Sequence, residues 1–452
     1  MKAMVNQGIS LFGTSGIRGI YGKKITPGLA MRVGNALGAR SKKIAVSRDA
    51  RATSPLLLEA LSSGAMFSSS DVLDIGMAPT PLLAYATMAE KCDGAMITAS
   101  HNPPAYNGIK LFSKGREYSK AGEEEIERAL LTSQKSAGWE RAGQRLFKDY
   151  SLEYILFLLS KVDAGAIRKR KPRVLVDAGN AAASSLAPAL FLAAGCEVVP
   201  LYCDSPGKFT RELEPKSETL HDASKMVVEK DCDFGIAFDG DGDRAVGIDE
   251  KGNVLPLDTQ LALFCGHFLS NAKGGKVVTT VEASLCVRET VESFGGKLFI
   301  TPVGSLHVAD ELEKRGAIFG GEPCGEYVFA GATPCADGLL ASLFLAEILC
   351  QEGSLSKPAA KVKPHPIERK KYLCEEEKKG AVMKRIATSL KFASAKLSVI
   401  DGLRYDFSDG WLLIRPSGTE PAIRLTCEFR ERKKLGSVLS EAESAIMAAA
   451  AQ

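Results

Sequence analysis

The chain has 452 residues, too many for one ordinary core and enough for three or four domains at roughly 100–200 residues each. Hydrophobic residues make up 45% and charged residues 25%, which describes a globular chain and excludes a disordered one. A net charge of +4, from 58 basic and 54 acidic residues, gives no electrostatic footprint for nucleic acid or for an anionic membrane.

Eleven cysteines, an odd number without a Cys-x-x-Cys pair, read as reduced thiols of a cytoplasmic protein, not as a disulfide framework or a zinc site. The opening MKAMVNQGIS has no long apolar core, so no secretory signal is expected. The most apolar windows, LAPALFLAAG and LLASLFLAEILC, fall short of the ~18–20 residues that span a bilayer and suit buried helices.

The first motif in chain order is FGTSGIRG, residues 12–19. Its glycines allow a tight turn and Arg18 could reach a phosphate, but the segment could equally be a rigid lead-in to the first strand. A repeat follows. KKIAVSRD, a polar loop, PLLLEALSSGAMF and DVLDIG read as strand, loop, helix, strand. RVLVDAG, a small-residue loop, LAPALFLAAG and EVVPLY repeat that order, and so do KVVTTV, a loop, LCVRETVESFG and KLFITPVG. Alternating strand and helix patterns predict parallel βαβ units.

The last stretch differs. DGLRYDFSDGWLLIRPSGTEPAIRLTCEF reads as antiparallel strands with a turn at Asp409–Gly410, followed by the helical KLGSVLSEAESAIMAAAA. The predicted architecture is α/β: three similar α/β domains with mixed sheets over 1–150, 151–254 and 255–362, then a smaller α+β domain over 363–452. The Pro/Lys-rich run near 357–366 reads as a flexible linker.

Four loops carry candidate chemistry. In ITASHNPPAYNGIK, residues 97–110, a strand runs into Ser100, whose hydroxyl could stand in a cleft. Once phosphorylated it would carry about −1.5 to −2 charges, and His101 and Lys110 could orient or neutralise it. The bland alternative is a serine turn before a Pro-Pro bend.

In FDGDGDRAVGID, residues 238–249, Asp239, Asp241 and Asp243 alternate with glycines and can converge on one hard cation such as Mg²⁺. Glu250 falls at the twelfth position of an EF-hand, but Arg244 fills the sixth, where that loop needs glycine.

In FGGEPCGEYVF, residues 319–329, Glu322 and Glu326 could accept hydroxyl hydrogen bonds, and His307 just upstream faces the same cleft or lies on a helix surface. In RPSGTEPAIR, residues 415–424, Arg415, Ser417, Gly418, Thr419 and the turn amides form a compact set of anion donors, with Arg424 as a second fork.

Together and in this order, TASHNP, DGDGDR, GEPCG and RPSGTEP behind an opening FGTSGIRG resemble the α-D-phosphohexomutase family, over essentially the whole chain. The opening is more similar to the phosphoglucosamine mutase branch than to the phosphomannomutase one. The resemblance implies four domains around a central cleft and an isomerase that interconverts hexose 1- and 6-phosphates. It implies Ser100 as the phosphoserine and Ser100, Asp239, Asp241 and Asp243 as the ligands of one Mg²⁺. Arg18, His101, Lys110 and Arg244 would surround the reacting phosphoryl group. Glu322, with Cys324 and His307 in the same region, would meet the sugar. Arg415, Ser417, Gly418, Thr419 and Arg424 would grip the other phosphate. Hexose 1,6-bisphosphate would be the intermediate and activator. Cys324 stands where the family usually has serine, and a thiol is the weaker hydrogen-bond partner. The expected partners are a hexose phosphate and, at most, a second copy of the chain, with no nucleic acid and no membrane.

Overall fold

Strands that are buried on both faces need near-continuous apolar runs, and the first strand of each repeat has one: KIAVSR, RVLVD and KVVTT. In the computed structural model, which describes residues 11–451 apart from 14, 133–134 and 419–420, these three strands stand at the centre of their sheets. The chain divides into two compact units, residues 1–260 with 324–359, and 261–323 with 360–452.

In the first unit, β1 (Ile17–Ile20), β2 (Lys43–Arg48), β3 (Asp71–Met77), β4 (Asp93–Ile97), β5 (Tyr106–Ser113), β6 (Arg116–Glu117) and β7 (Arg145–Phe147) make a seven-stranded sheet. Its order is β1-β5-β4-β2-β3-β7, with β6 against β5. β2 runs parallel to β3 and β4, while β5 is antiparallel to β4 and to β1. The N-terminal motif is thus more than a lead-in. It forms an edge strand, with Arg18 opposite Gly108.

A second sheet follows, from β8 (Arg173–Asp177), β9 (Glu197–Leu201), β10 (Phe234–Phe238) and β11 (Ala245–Ile248), in the order β11-β10-β8-β9. β8 is parallel to β9 and β10, and β11 is antiparallel to β10. This is the arrangement of β5-β4-β2-β3, so the repeat read from sequence is a repeat of topology. The central strand is flanked by its repeat partner and by the strand that feeds a chemical loop, Ser100 after β4 and Asp239 after β10.

In the second unit, β12 (Lys276–Thr280) pairs in parallel with β13 (Lys297–Thr301) and β14 (Phe319–Gly321). The next strand, β15 (Tyr327–Phe329), belongs to the first unit's chain segment. The last sheet has β16 (Ile367–Leu373), β17 (Lys396–Ser398), β18 (Leu403–Asp406), β19 (Gly410–Pro416) and β20 (Ala422–Phe429) in the antiparallel order β16-β20-β19-β18-β17. Alternation along β19 explains its double burial. Leu412 and Ile414 pack under the helices Glu376–Ser389 and Arg432–Ala450, while Trp411 and Leu413 pack on Val281 and Leu285. The predicted turn closes through Phe407 N donating to Gly410 O at 2.9 Å.

Where composition predicts a linker, the chain first forms the helix Ser356–Lys361, with Pro358 buried in its first turn, where the missing N–H costs nothing. Glu250 accepts from Ser356 N at 3.2 Å and from its hydroxyl, so the residue at the EF-hand's twelfth position holds a helix start. No described helix is long and apolar enough to cross a membrane. None of the eleven cysteines, all of them among the described residues, is in a disulfide.

Candidate active site

β4 ends at Ile97, and three residues later Ser100 sits 1% exposed with φ +49°, a left-handed conformation uncommon for serine. Its N–H donates to Thr98 Oγ1 at 2.9 Å. Its hydroxyl donates to Asp239 Oδ2 at 2.6 Å, across 139 positions of sequence, and lies 3.3 Å from His101 Nδ1. The loop of β4 therefore meets the loop of β10. A bare backbone at Gly240 permits this, because a Cβ there would sit 2.3 Å from the Ser100 carbonyl oxygen.

The acidic loop is folded on itself. Asp239 Oδ1 accepts from Gly242 N at 2.9 Å and Arg244 N at 3.3 Å. Thr80 donates its hydroxyl to Asp241 Oδ2 at 2.6 Å and its N–H to the Asp241 carbonyl at 2.8 Å. Lys110, on β5 opposite Met96, places Nζ 2.7 Å from Asp243 and 3.1 Å from Asp241. One carboxylate oxygen from each of Asp239, Asp241 and Asp243 lies within 4.8 Å of the others, and all three side chains are buried.

Crowding three carboxylates in a dry site sets their titration. Burial, then Asp243 and Asp241, push Asp239 well above the usual carboxylate range. Burial and Asp241 push Asp243 up to about 7 against the pull of Lys110. For Asp241 burial raises the value, but the Lys110 ammonium and the Thr80 hydroxyl outweigh it and leave it lowered. Lys110 is held protonated, because Asp241 and Asp243 overcome its desolvation. His101 is driven the other way, down to about 2, by burial and by the cations Arg244 and Arg18, so its ring is neutral.

The other residues expected around this centre divide. Arg18 Nη2 donates to Ser15 Oγ at 3.1 Å and Nη1 to Asn102 Oδ1 at 3.4 Å, while its Nε is buried with no hydrogen-bond partner. Arg244 donates through Nε and Nη2 to Glu326 Oε1 at 3.1 and 2.9 Å, and Arg244 bridges Glu326 in the backbone. Burial raises the Glu326 carboxyl, but Arg244 and Lys110 bring it below its ordinary value, so it is an ionised anchor for the Arg244 guanidinium. Cys324 is half-buried in the same segment.

Glu322, His307 and the RPSGTEP loop lie in the second unit. Glu322 is 3% exposed at the end of β14, and its Oε2 accepts from Gly304 N at 3.0 Å, next to the helix Ser305–Arg315 whose first turn carries the exposed His307. Arg415 is 7% exposed at the end of β19, with Nη1 3.0 Å from Glu282 and Nη2 3.2 Å from Asp401. Its Nε has no hydrogen-bond partner. Ser417 is buried, its carbonyl accepting from Lys379 Nζ at 2.6 Å. Gly418 and Arg424 are exposed, Arg424 facing Arg415 across the β19–β20 pair. Thr419 lies outside the described residues.

The donor set suits a hard divalent cation. It offers only carboxylate oxygens, and Asp241 Oδ1 and Asp243 Oδ1 are buried with no hydrogen-bond partner, which is costly unless a cation takes them. A cation would also let all three aspartates ionise together. Thr80, Glu282 and Asp401 escaped the sequence reading. Each acts through a partner far along the chain, 161 positions away for Thr80 and 133 for Glu282, and nothing in local spacing marks them.

Four family models match in succession: phosphoglucomutase/phosphomannomutase alpha/beta/alpha domain I over residues 10–137, domain II over 152–252, domain III over 257–365, and the C-terminal domain over 370–444. A Thermococcus gammatolerans protein named "probable phosphoglucosamine mutase" is 40% identical over 442 residues, 96% of this chain and 98% of its own. A Methanosarcina acetivorans protein of the same name is 39% identical over 427 residues, 94% of this chain and 96% of its own. Among solved structures, a phosphoglucomutase/phosphomannomutase family protein from Burkholderia thailandensis superposes with a TM-score of 0.87 at 28% identity, covering 97% of both chains. The four-domain α/β architecture with mixed sheets is shared with these proteins.

Proposed function

This chain belongs to the phosphoglucomutase/phosphomannomutase family, and we propose that within it the chain is a phosphoglucosamine mutase, moving a phosphoryl group between the 1- and 6-oxygens of glucosamine phosphate. The observation that carries the phosphoryl chemistry is the 2.6 Å bond from Ser100 Oγ to Asp239, which sets a serine hydroxyl against three buried carboxylates. The choice of sugar rests on what the relatives are named.

In this proposal Ser100 carries the phosphoryl group and gives it to the free hydroxyl of a sugar monophosphate. A hexose 1,6-bisphosphate results, turns over, and returns its other phosphoryl to Ser100. The same bisphosphate, bound from solution, restores a serine that has lost its phosphate, which makes it the activator. Asp239, Asp241 and Asp243 would hold Mg²⁺ together with the serine phosphate, and the ion would neutralise charge on the phosphoryl oxygens. Of the two proton-handling candidates, Lys110 is held cationic between Asp241 and Asp243, whereas His101 is neutral and beside Ser100 Oγ. Both remain candidates for handling the sugar hydroxyl proton, His101 by its place beside Ser100 and Lys110 by its charge, and Arg18 balances charge. Arg244, fixed by Glu326, adds charge beside the phosphoryl group.

Glu322 accepts from sugar hydroxyls, with His307 and Cys324 as further sugar contacts. Arg415 Nε, Ser417, Gly418, Thr419 and Arg424 take the phosphate that is not reacting. Two binding orientations need one distal grip, and a loop of backbone donors and arginines can serve both. A metal phosphatase using the same serine has no need of such a grip.

Comparing glucosamine, glucose and mannose 1-phosphates tests this reading. The highest kcat/KM is expected with glucosamine 1-phosphate, and the product is its 6-phosphate. Release of inorganic phosphate in place of a 6-phosphate would overturn the mutase, and a clear preference for mannose or glucose would overturn the sugar.

A further inference from the structure

A serine in a left-handed conformation must be held there by something, because a side chain makes that backbone costly. Beneath the Ser100 turn lies Arg51, 1% exposed, a residue outside every motif described so far. Its guanidinium spends all five of its N–H groups. Nε donates to Asp49 Oδ2 at 2.9 Å. Nη2 donates to the carbonyls of Ser100 and Asn102, both at 2.7 Å. Nη1 donates to the carbonyls of Pro103 and Tyr106 at 2.7 and 3.0 Å. Four backbone acceptors of one turn are thus tied to one rigid plane, which no other side chain can supply.

Asp49, which follows β2, orients that plane. Its Oδ1 accepts from Arg51 N at 3.0 Å and Ser54 Oγ at 2.6 Å, and its Oδ2 from Thr98 Oγ1 at 2.8 Å. Thr98 in turn accepts the Ser100 N–H. The chain of contacts leads from the central strand of the sheet to both backbone sides of the serine.

The second repeat builds the same device. Asp177 ends β8, and its Oδ1 accepts from Gly179 N, two residues on, at 2.8 Å, as Asp49 does from Arg51 N. Arg211 donates Nε to Asp177 Oδ2 at 2.8 Å, Nη2 to the Phe238 carbonyl at 2.8 Å and Nη1 to the Glu212 carbonyl at 2.9 Å. Phe238 is the residue before Asp239. In each repeat an acid at the end of the central strand fixes a buried arginine, and the arginine fixes the neighbouring chemical loop.

We propose that Arg51 is a positioning residue for phosphoryl transfer: it holds the 100–106 turn so that Ser100 Oγ stays on the acidic loop, with Arg211 as its counterpart beneath Asp239. The inference rests on the reading of Ser100 as the phosphoryl carrier. Its consequence is a division of labour, since Arg51 touches neither sugar nor phosphate. Loosening it lowers the rate of transfer and leaves sugar affinity alone. It also lets water compete: a water oxygen bonds to phosphorus as the phosphorus–Oγ bond breaks, returning a serine hydroxyl and inorganic phosphate.

The test compares full-length R51K and T98V with the wild type and with R145K, which alters an arginine pairing with Asp74 and Glu59 in the same sheet. Each is phosphorylated with hexose 1,6-bisphosphate and assayed for kcat, for KM of the sugar phosphate, and for loss of serine phosphate to water without sugar. R51K is expected to lose about 100-fold in kcat at unchanged KM. T98V, the milder change if R51K folds poorly, should move the same way. Both should leak phosphate faster relative to transfer, while R145K matches the wild type. Wild-type kcat in either R51K or T98V, or a loss shared with R145K, overturns the inference. A wild-type protein that holds no phosphate on Ser100 overturns the functional reading instead.

Discussion

The Ser100–Asp239 centre and the RPSGTEP loop place their charged groups differently. In the first unit, the loop of Ser100 meets the loop of Asp239 in a buried centre, held from below by Thr80, Lys110 and Arg51. In the second unit, the stem of the RPSGTEP loop is held by Glu282 and Asp401 on Arg415 and by Lys379 on the Ser417 carbonyl, while Gly418 and Arg424 are exposed. The difference would suit the two tasks proposed for them. Phosphoryl transfer is governed by placement, where a shift of about 1 Å can cost on the order of 100-fold. A phosphate grip that serves two orientations and must release needs a firm base and an open crown.

The comparison can be broken at its tightest point first. Gly240→Ala puts a methyl group 2.3 Å from the Ser100 carbonyl oxygen, so the two loops must part. The expected loss in kcat is about 100-fold or more with KM little changed, read by steady-state kinetics. A near-normal kcat would show that the close approach is dispensable. In the second unit the split reverses. Arg415→Lys removes the fork shared by Glu282 and Asp401, and KM for the sugar phosphate should rise about tenfold with a smaller change in kcat.

Proton release sharpens the electrostatic half of the contrast. Asp239 is raised, and Asp243 titrates near 7, so both hold protons in the cation-free centre below that pH. Mg²⁺ must displace them, so its affinity should climb with pH through about 7, with protons released on binding. Calorimetry in buffers of different ionisation enthalpy reads this directly. An affinity flat from pH 5.5 to 7.5 would contradict it.

The smallest effect is on stability, at the start of a helix. Asp337 caps the helix Gly338–Glu352, accepts from Tyr154 OH at 2.7 Å, and is raised to about 6, chiefly by burial. A carboxyl raised on folding stabilises fully below its ordinary value near 4, and that contribution is lost as pH rises through about 6. Asp337→Asn keeps the cap and should flatten stability across pH 4–6 in denaturant melts, with kcat unchanged.

Much of this was legible in the sequence. KKIAVSRD, RVLVDAG and KVVTTV declared the three central strands, because strands buried on both faces must be apolar throughout. DGDGDR announced its cluster of three carboxylates through the alternation of acid and glycine. What stayed hidden were side chains whose partners lie far away in the chain. Arg51 sits in a polar loop and reads as solvated, yet it is almost wholly buried by carbonyls 49 to 55 positions distant. The ion pair of Glu326 with Arg244 was hidden in the same way, 82 positions apart. The helix at Ser356–Lys361 was masked by its own proline and lysines, which signal a linker unless the cap from Glu250 is known.

The account turns on a phosphoryl group that passes from Ser100 to sugar. The enzyme is radiolabelled at Ser100 by labelled hexose 1,6-bisphosphate, freed of ligand, and mixed with glucosamine 1-phosphate in a single turnover. The label should leave the protein at the speed of catalysis and appear in the sugar bisphosphate and then in the 6-phosphate, with no labelling of S100A. Label that stays on the protein, or emerges as inorganic phosphate, would contradict it.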